Sequence, residues 1–117
     1  MGEGQMSRNS TEIDRLTERL RRFAQVRSWE HLHTPKNLTT AVAGEAGELA
    51  AVLQWSTPEQ DLAPLREELE DEIADVLIYL LRLCDVLGVD PLAAVGAKID
   101  RNELRFPTTD RDVPERT

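Results

Sequence analysis

The segment LREELEDEIADVLIYLLRLCDVLG (65–88) constrains this chain more than any other. It predicts a helix from about Pro64 to Leu87, closed by Gly88 at the left-handed C′ position. From Ile73 onward apolar residues fall on almost every side, so this helix calls for burial over most of its surface. Along it runs one narrow polar line, Glu68, Glu72, Asp75, Tyr79 and Arg82, at steps of four, three, four and three. Glu72 and Asp75 therefore project together between apolar neighbours. Two carboxylates at close range in a poor dielectric repel, and they take up a proton or a cation. A hard divalent ion is the natural compensation, because carboxylate oxygens suit Mg²⁺.

The rest of the chain also reads as helix, with no run alternating in the manner of a half-buried strand. A first helix starts near Ser10 or Thr11, carries Ile13, Leu16, Leu20 and Phe23 on one stripe, and ends between Arg27 and Trp29. After WEHLHTPKN, Thr34-Pro35 starts a second helix that runs to about Trp55. The loop STPEQDLAP leads into the third. Asp90-Pro91 opens a fourth, which stops before Pro107. The expectation is an all-α, four-helix bundle in one domain, residues 10–107. Residues 1–9 read as a disordered N-terminal segment and 108–117 as a flexible tail.

The second helix contains AGEAGELA (43–50), which weakens itself twice. Each interior glycine costs about 1 kcal/mol relative to alanine. Gly44 and Gly47 stand directly before Glu45 and Glu48, a second acidic pair at a spacing of three. If the second and third helices pack antiparallel, four carboxylates converge between them. The glycines, with Ala41, Ala43, Ala46 and Ala50, then read as clearance for close helix approach and for ions or ligand. A single ExxE is ordinarily a solvated face, and Glu67, Glu70 and Asp71 are read as that. Two acidic pairs in one short helical chain, one of them inside an apolar stripe, favour a metal site. A di-iron carboxylate bundle fits poorly, because it uses Glu-x-x-His pairs and His31 and His33 lie in a connection.

Composition narrows the partners. With 22 acidic against 14 basic residues and a formal charge of -8, the chain is a poor candidate for nucleic acid or an anionic membrane. An anionic small molecule would need a cation between it and the protein. One cysteine, Cys84, excludes an internal disulfide and suits a reducing cytoplasm. No signal peptide is visible, and the longest apolar run, VLIYLL (76–81), is far too short to span a bilayer. These features read as a soluble intracellular protein.

GEAGEL (44–49) followed by EIADVLIYLL (72–81) resembles the all-α nucleoside triphosphate pyrophosphohydrolases, the MazG-like superfamily, whose signature is ExxE on one helix and ExxD on the next. Within it, SWEHLHTPKNL (28–38), LQWS (53–56), DVLIYL (75–80) and AKIDRNELRFP (97–107) look most like the dCTP pyrophosphatase branch, in order and with compatible spacing over residues 10–107. The resemblance implies Mg²⁺-dependent attack of water on the α-phosphorus of a nucleoside triphosphate, with Mn²⁺ as a substitute metal. It makes Glu45, Glu48, Glu72 and Asp75 the catalytic metal ligands. Lys98, Asn102 and Arg105, at i, i+4 and i+7 on the fourth helix, match the family's polar segment and would hold the phosphate chain. Trp29, Trp55 and Tyr79 would stack on the base, with His33 offering a hydrogen bond. Lys36 reads as surface and Cys84 as core packing.

The resemblance implies a deoxycytidine triphosphate, plain or base-modified, as substrate in nucleotide-pool cleansing. A broader triphosphate pyrophosphatase, a phosphoribosyl-ATP hydrolase and a non-catalytic helical scaffold are the rival readings. The base-pocket aromatics speak against the second rival, and the four intact carboxylates against the third. The third helix has more apolar surface than its short partners can cover, which predicts a homodimer or homotetramer.

Overall fold

Two helix starts follow from the same local chemistry. The Thr34 hydroxyl accepts the Asn37 backbone N–H at 3.1 Å, and the Asp90 carboxylate accepts that of Ala93 at 3.1 Å. Each cap is followed by a proline, whose missing N–H is no loss in a first turn. They open α2 (Pro35–Val52) and α4 (Pro91–Arg105). The computed structural model describes residues 2–108, and the side chains of 11–108. It adds α1 (Gly2–Val26) and α3 (Arg66–Leu87), with short 3-10 turns at Glu30–Leu32 and Ala63–Leu65. Among the described residues there is no strand.

Two helices end alike. After α3, Gly88 takes a φ of 70°, its N–H reaches the Asp85 carbonyl, and the Val89 N–H reaches that of Cys84 at 2.8 Å. After α1 the same motif is built on Ser28, at φ 56°, with Ser28 N–H on Gln25 and Trp29 N–H on Ala24 at 2.9 Å. The glycine end is the one the sequence predicts. The serine end carries no such signal.

The boundaries differ from expectation in three places. Helix α1 runs from Gly2, so Ser10 and Thr11 lie inside it and not at its cap. Residues 2–9 include Glu, Gln, Met and Arg, all good helix formers, and no proline to stop them. Helix α2 ends at Val52, ahead of Trp55, because Leu53 and Ser56 close three-residue turns onto Ala50 and Leu53. Helix α3 begins at Arg66, since the Ala63–Leu65 turn takes up the segment around Pro64. The expected flexible tail lies outside the described residues beyond Thr108.

Packing centres on α3. Helix α2 lies along it, α1 crosses it, and α4 makes no extended contact with the other helices. Arg21 of α1 clamps Asp85 of α3 with two bonds, of 3.0 and 2.7 Å. Among the described residues the buried ones are Ala24, Leu38 and Arg82. The burial that α3 calls for is therefore not reached within one chain: Ile73, Leu77, Ile78, Leu80, Val86 and Leu87 all stay exposed.

Candidate metal centre and adjoining cavity

The two acidic pairs meet between α2 and α3. One carboxylate oxygen each from Glu45, Glu72 and Asp75 lie within 4.8 Å of one another. Glu45 and Glu72 are half-buried, and the Oε2 atom of each is sealed from solvent with no hydrogen-bond partner. Burial first, and then the charges of Glu48 and Asp75, push the Glu45 carboxyl above its ordinary pKa. Glu72 is raised by burial, then by Glu48, Asp75 and Glu68. Glu45 thus feels Asp75 and Glu72 of α3, and Glu72 feels Glu48 of α2, so the two acidic pairs act on each other across the helix pair. Glu48 itself is more exposed and stands beside the cluster.

A sealed carboxylate oxygen without a donor is costly, and like-charged neighbours worsen it. Two such atoms from facing helices require a proton or a cation. All the donors are hard oxygens, the set that suits Mg²⁺ or Mn²⁺ more than a soft metal. The residues present thus fit a divalent ion on their own chemistry.

A cavity of about 270 Å³ adjoins the cluster. Glu45 and Asp75 form part of its wall, and Leu20, Phe23, Trp29, His33, Ile78, Tyr79 and Arg82 form the rest. The Ser28 turn sets the position of Trp29, whose ring meets Phe23 edge to face at a centroid distance of 5.8 Å. The Arg27 guanidinium covers the Phe23 ring at 3.5 Å. His33 follows the Glu30–Leu32 turn, which the Asn37 side chain ties to α2 through the Leu32 carbonyl at 2.9 Å. One wall is thus flat and apolar, and the carboxylates line another. Such a space takes a molecule with an aromatic part and an anionic part, the second held through a cation.

The structure therefore brings Trp29, His33, Glu45, Asp75 and Tyr79 to one cavity, with Glu72 and Glu48 against it. It does not bring four other candidates there. Trp55 sits past the end of α2, 87% exposed. Lys98, Asn102 and Arg105 lie on α4, and the Arg105 guanidinium rests over the Phe106 ring at 5.0 Å. Lys36 is at the surface, as read.

Sequence reasoning missed Leu20, Phe23, Ile78 and Arg82 as wall residues. The first two lie on the apolar stripe of the first helix, which is written the same way for a core as for a cavity wall. Arg82 was on the polar line of the third helix, and that was the signal for it. The clearance reading of Gly44 and Gly47 is not met within the chain, because a β-carbon on either would find nothing within 4 Å. Among the described residues no helix is long and apolar enough to cross a membrane.

A family model described as the MazG-like family matches residues 43–116, a stretch that includes both acidic pairs. Among curated proteins, dCTP pyrophosphatase 1 of Bos taurus is 42% identical over 91 residues, and that of Homo sapiens is 44% identical over 90. Each alignment takes in 73% of this chain and 53% of the relative, so the chain spans about half the length of these proteins. Among solved structures, a pyrophosphatase from Archaeoglobus fulgidus DSM 4304 matches with a TM-score of 0.79 at 40% identity, covering 83% of this chain and 94% of that one.

Proposed function

The chain belongs to the MazG-like family, and from that premise we propose that it is a Mg²⁺-dependent nucleoside triphosphate pyrophosphohydrolase acting on deoxycytidine triphosphate. The observation that carries this reading is the pair of sealed, unpartnered oxygens of Glu45 and Glu72, on facing helices beside an aromatic-walled cavity. The names of the relatives, dCTP pyrophosphatase 1 and pyrophosphatase, point the same way.

In this reading Glu45, Glu48, Glu72 and Asp75 hold the metal. When bound there, Mg²⁺, or Mn²⁺ in its place, offsets the triphosphate charge and makes a bound water more acidic. The protein's own part is positioning. Trp29, Tyr79 and Phe23 flank the base, and His33 offers it a hydrogen bond. One of the four carboxylates would accept the proton of the attacking water. Attack at the α-phosphorus then releases pyrophosphate and leaves the monophosphate.

Lys98, Asn102 and Arg105 would act on the phosphates, and Trp55 on the base, in an assembly of two or four copies. The exposed apolar surface of α3 and α4 supports that assembly. The lone Cys84 suits the cytoplasm, where a thiol stays reduced. The test is pyrophosphate release from dCTP with and without Mg²⁺. Wild type should release it only with the metal, and Glu48→Gln should lower turnover by about 10²-fold, the scale of losing one electrostatic stabiliser. No release from any common ribo- or deoxyribonucleoside triphosphate would sink the proposal.

A further inference from the structure

Arg82 is the one charged side chain buried among the described residues, at 7% exposure. It lies seven residues beyond Asp75, about 10 Å further along α3. Its Nη1 donates to Asp85 Oδ2 at 2.8 Å, and its Nε donates to His33 Nδ1 at 3.0 Å. Asp85 is in turn held by Arg21, whose Nε donates to the same Oδ2 and whose Nη2 donates to Oδ1. The order is therefore Arg21, Asp85, Arg82, His33, with a ring of the cavity wall at its end.

The direction of the last bond carries information. A guanidinium has donors and no acceptor, and it keeps its charge. The ring nitrogen that accepts from it carries no proton. A neutral imidazole in that position must bear its proton on Nε2, so the free edge of His33 is a donor. Nε2 has no partner among the described residues. Burial, and then the charge of Arg82, hold the ring below its ordinary pKa, which keeps it neutral.

We propose that Arg82, steadied by Asp85 and Arg21, is a positioning residue that fixes His33 as an Nε2–H donor toward the base, and that this donor selects a base offering an unprotonated ring nitrogen. The proposal rests on the nucleotide reading of the cavity and deepens it. Cytosine offers such an acceptor at N3, whereas thymine has an N–H there. A ring free to change tautomer could accept from that N–H. A ring locked by Arg82 cannot, and its N–H faces the N–H of thymine.

The experiment uses the full chain in a His31→Gln background, which leaves His33 as the only histidine. Two-bond and three-bond ¹H–¹⁵N correlations of the ring should show the Nε2–H tautomer in wild type at neutral pH. In Arg82→Met the two tautomers should mix. In parallel, the ratio of kcat/KM for dCTP to that for dTTP should fall about tenfold in Arg82→Met, on the scale of one neutral hydrogen bond. A wild-type ring protonated on Nδ1 would overturn the proposal even if Arg82→Met fails to fold. A mixed tautomer with an unchanged dCTP-to-dTTP ratio would overturn the role in selection. If wild type turns over no triphosphate, the enzyme reading fails and the selection with it. The ring spectra still decide the tautomer in that case.

Discussion

Ser28 holds a backbone conformation that costs a residue with a β-carbon about 1–2 kcal/mol, and Trp29 is what that turn aims. Ser28→Gly should therefore stabilise the chain by about 1 kcal/mol in urea unfolding while Trp29 keeps its place against Phe23. A loss of stability would show that the serine side chain compensates for its own strain. The carboxylates carry a second prediction, with a sign that pH exposes. Glu45 and Glu72 have folded pKa values raised above the ordinary 4.5, so they favour the folded state most when protonated and oppose it increasingly as pH rises through those values. Without metal, Glu72→Gln should melt higher than wild type at neutral pH. With Mg²⁺ added, wild type should gain melting temperature and Glu72→Gln should gain little. Equal metal responses in a thermal-shift assay would remove Glu72 from the metal site. Asp85 has the opposite sign: pairing with Arg21 holds it below the ordinary 3.8, so its contribution is full above that value and is lost as pH falls through the lower folded one. The stability gap between wild type and Asp85→Asn should accordingly shrink in acid. At this scale the acidic pairs were legible because their spacing of three is also the geometry of a helix face. Phe23 was not, since whether an apolar stripe residue lines a cavity or fills a core depends on what the facing helix leaves open.

The helices were the most legible part of the chain, because their ends are decided locally. Thr34-Pro35, Asp90-Pro91 and Gly88 each satisfy or release backbone groups within a few residues, and the structure uses all three as read. The ends that escaped prediction lack such a device: α1 starts in ordinary helix formers, and α2 unwinds through tight turns before Trp55. The glycines of α2 invert an expectation. The sequence suggests that Gly44 and Gly47 give clearance between helices, yet an added β-carbon meets nothing within 4 Å. No side chain of this chain fills the space they leave, and the neighbouring Ala43, Ala46 and Ala50 are exposed as well. Gly44→Ala and Gly47→Ala should then each stabilise the chain by about 1 kcal/mol, the ordinary helix-propensity difference. Urea unfolding of the two variants reads this directly. Destabilisation would mean that another molecule of the same chain, or a part of it, rests on those glycines.

One chain does not close on itself. Its accessible surface is 9704 Å², against about 6,400 Å² for a compact monomer of its mass. Its radius of gyration is 17.9 Å, where about 13 Å is usual for this length. Apolar side chains contribute to the excess: Leu77 of α3 is 51% exposed, and on α4 Val95 and Ile99 are 56% and 49% exposed. No periodicity in the sequence could have said that α4 stands apart, because an apolar stripe is written the same way whether its partner is in the same chain or in another. The proposed oligomer resolves the mismatch, and substitutions on these faces separate it from the alternative of an open monomer. In a monomer, Leu77→Glu and Ile99→Glu put a charge where water already reaches, so stability should move by no more than about 0.5 kcal/mol. In the oligomer the same charges are buried without partners, and assembly should fail. Light scattering should give wild type the mass of two or four chains and the variants a smaller one. Turnover should fall with the mass in both variants, because Trp55, Lys98, Asn102 and Arg105 lie outside the cavity of a single chain. Wild type running as a sharp monomer, or variants that lose mass with full turnover, would detach those four residues from the site.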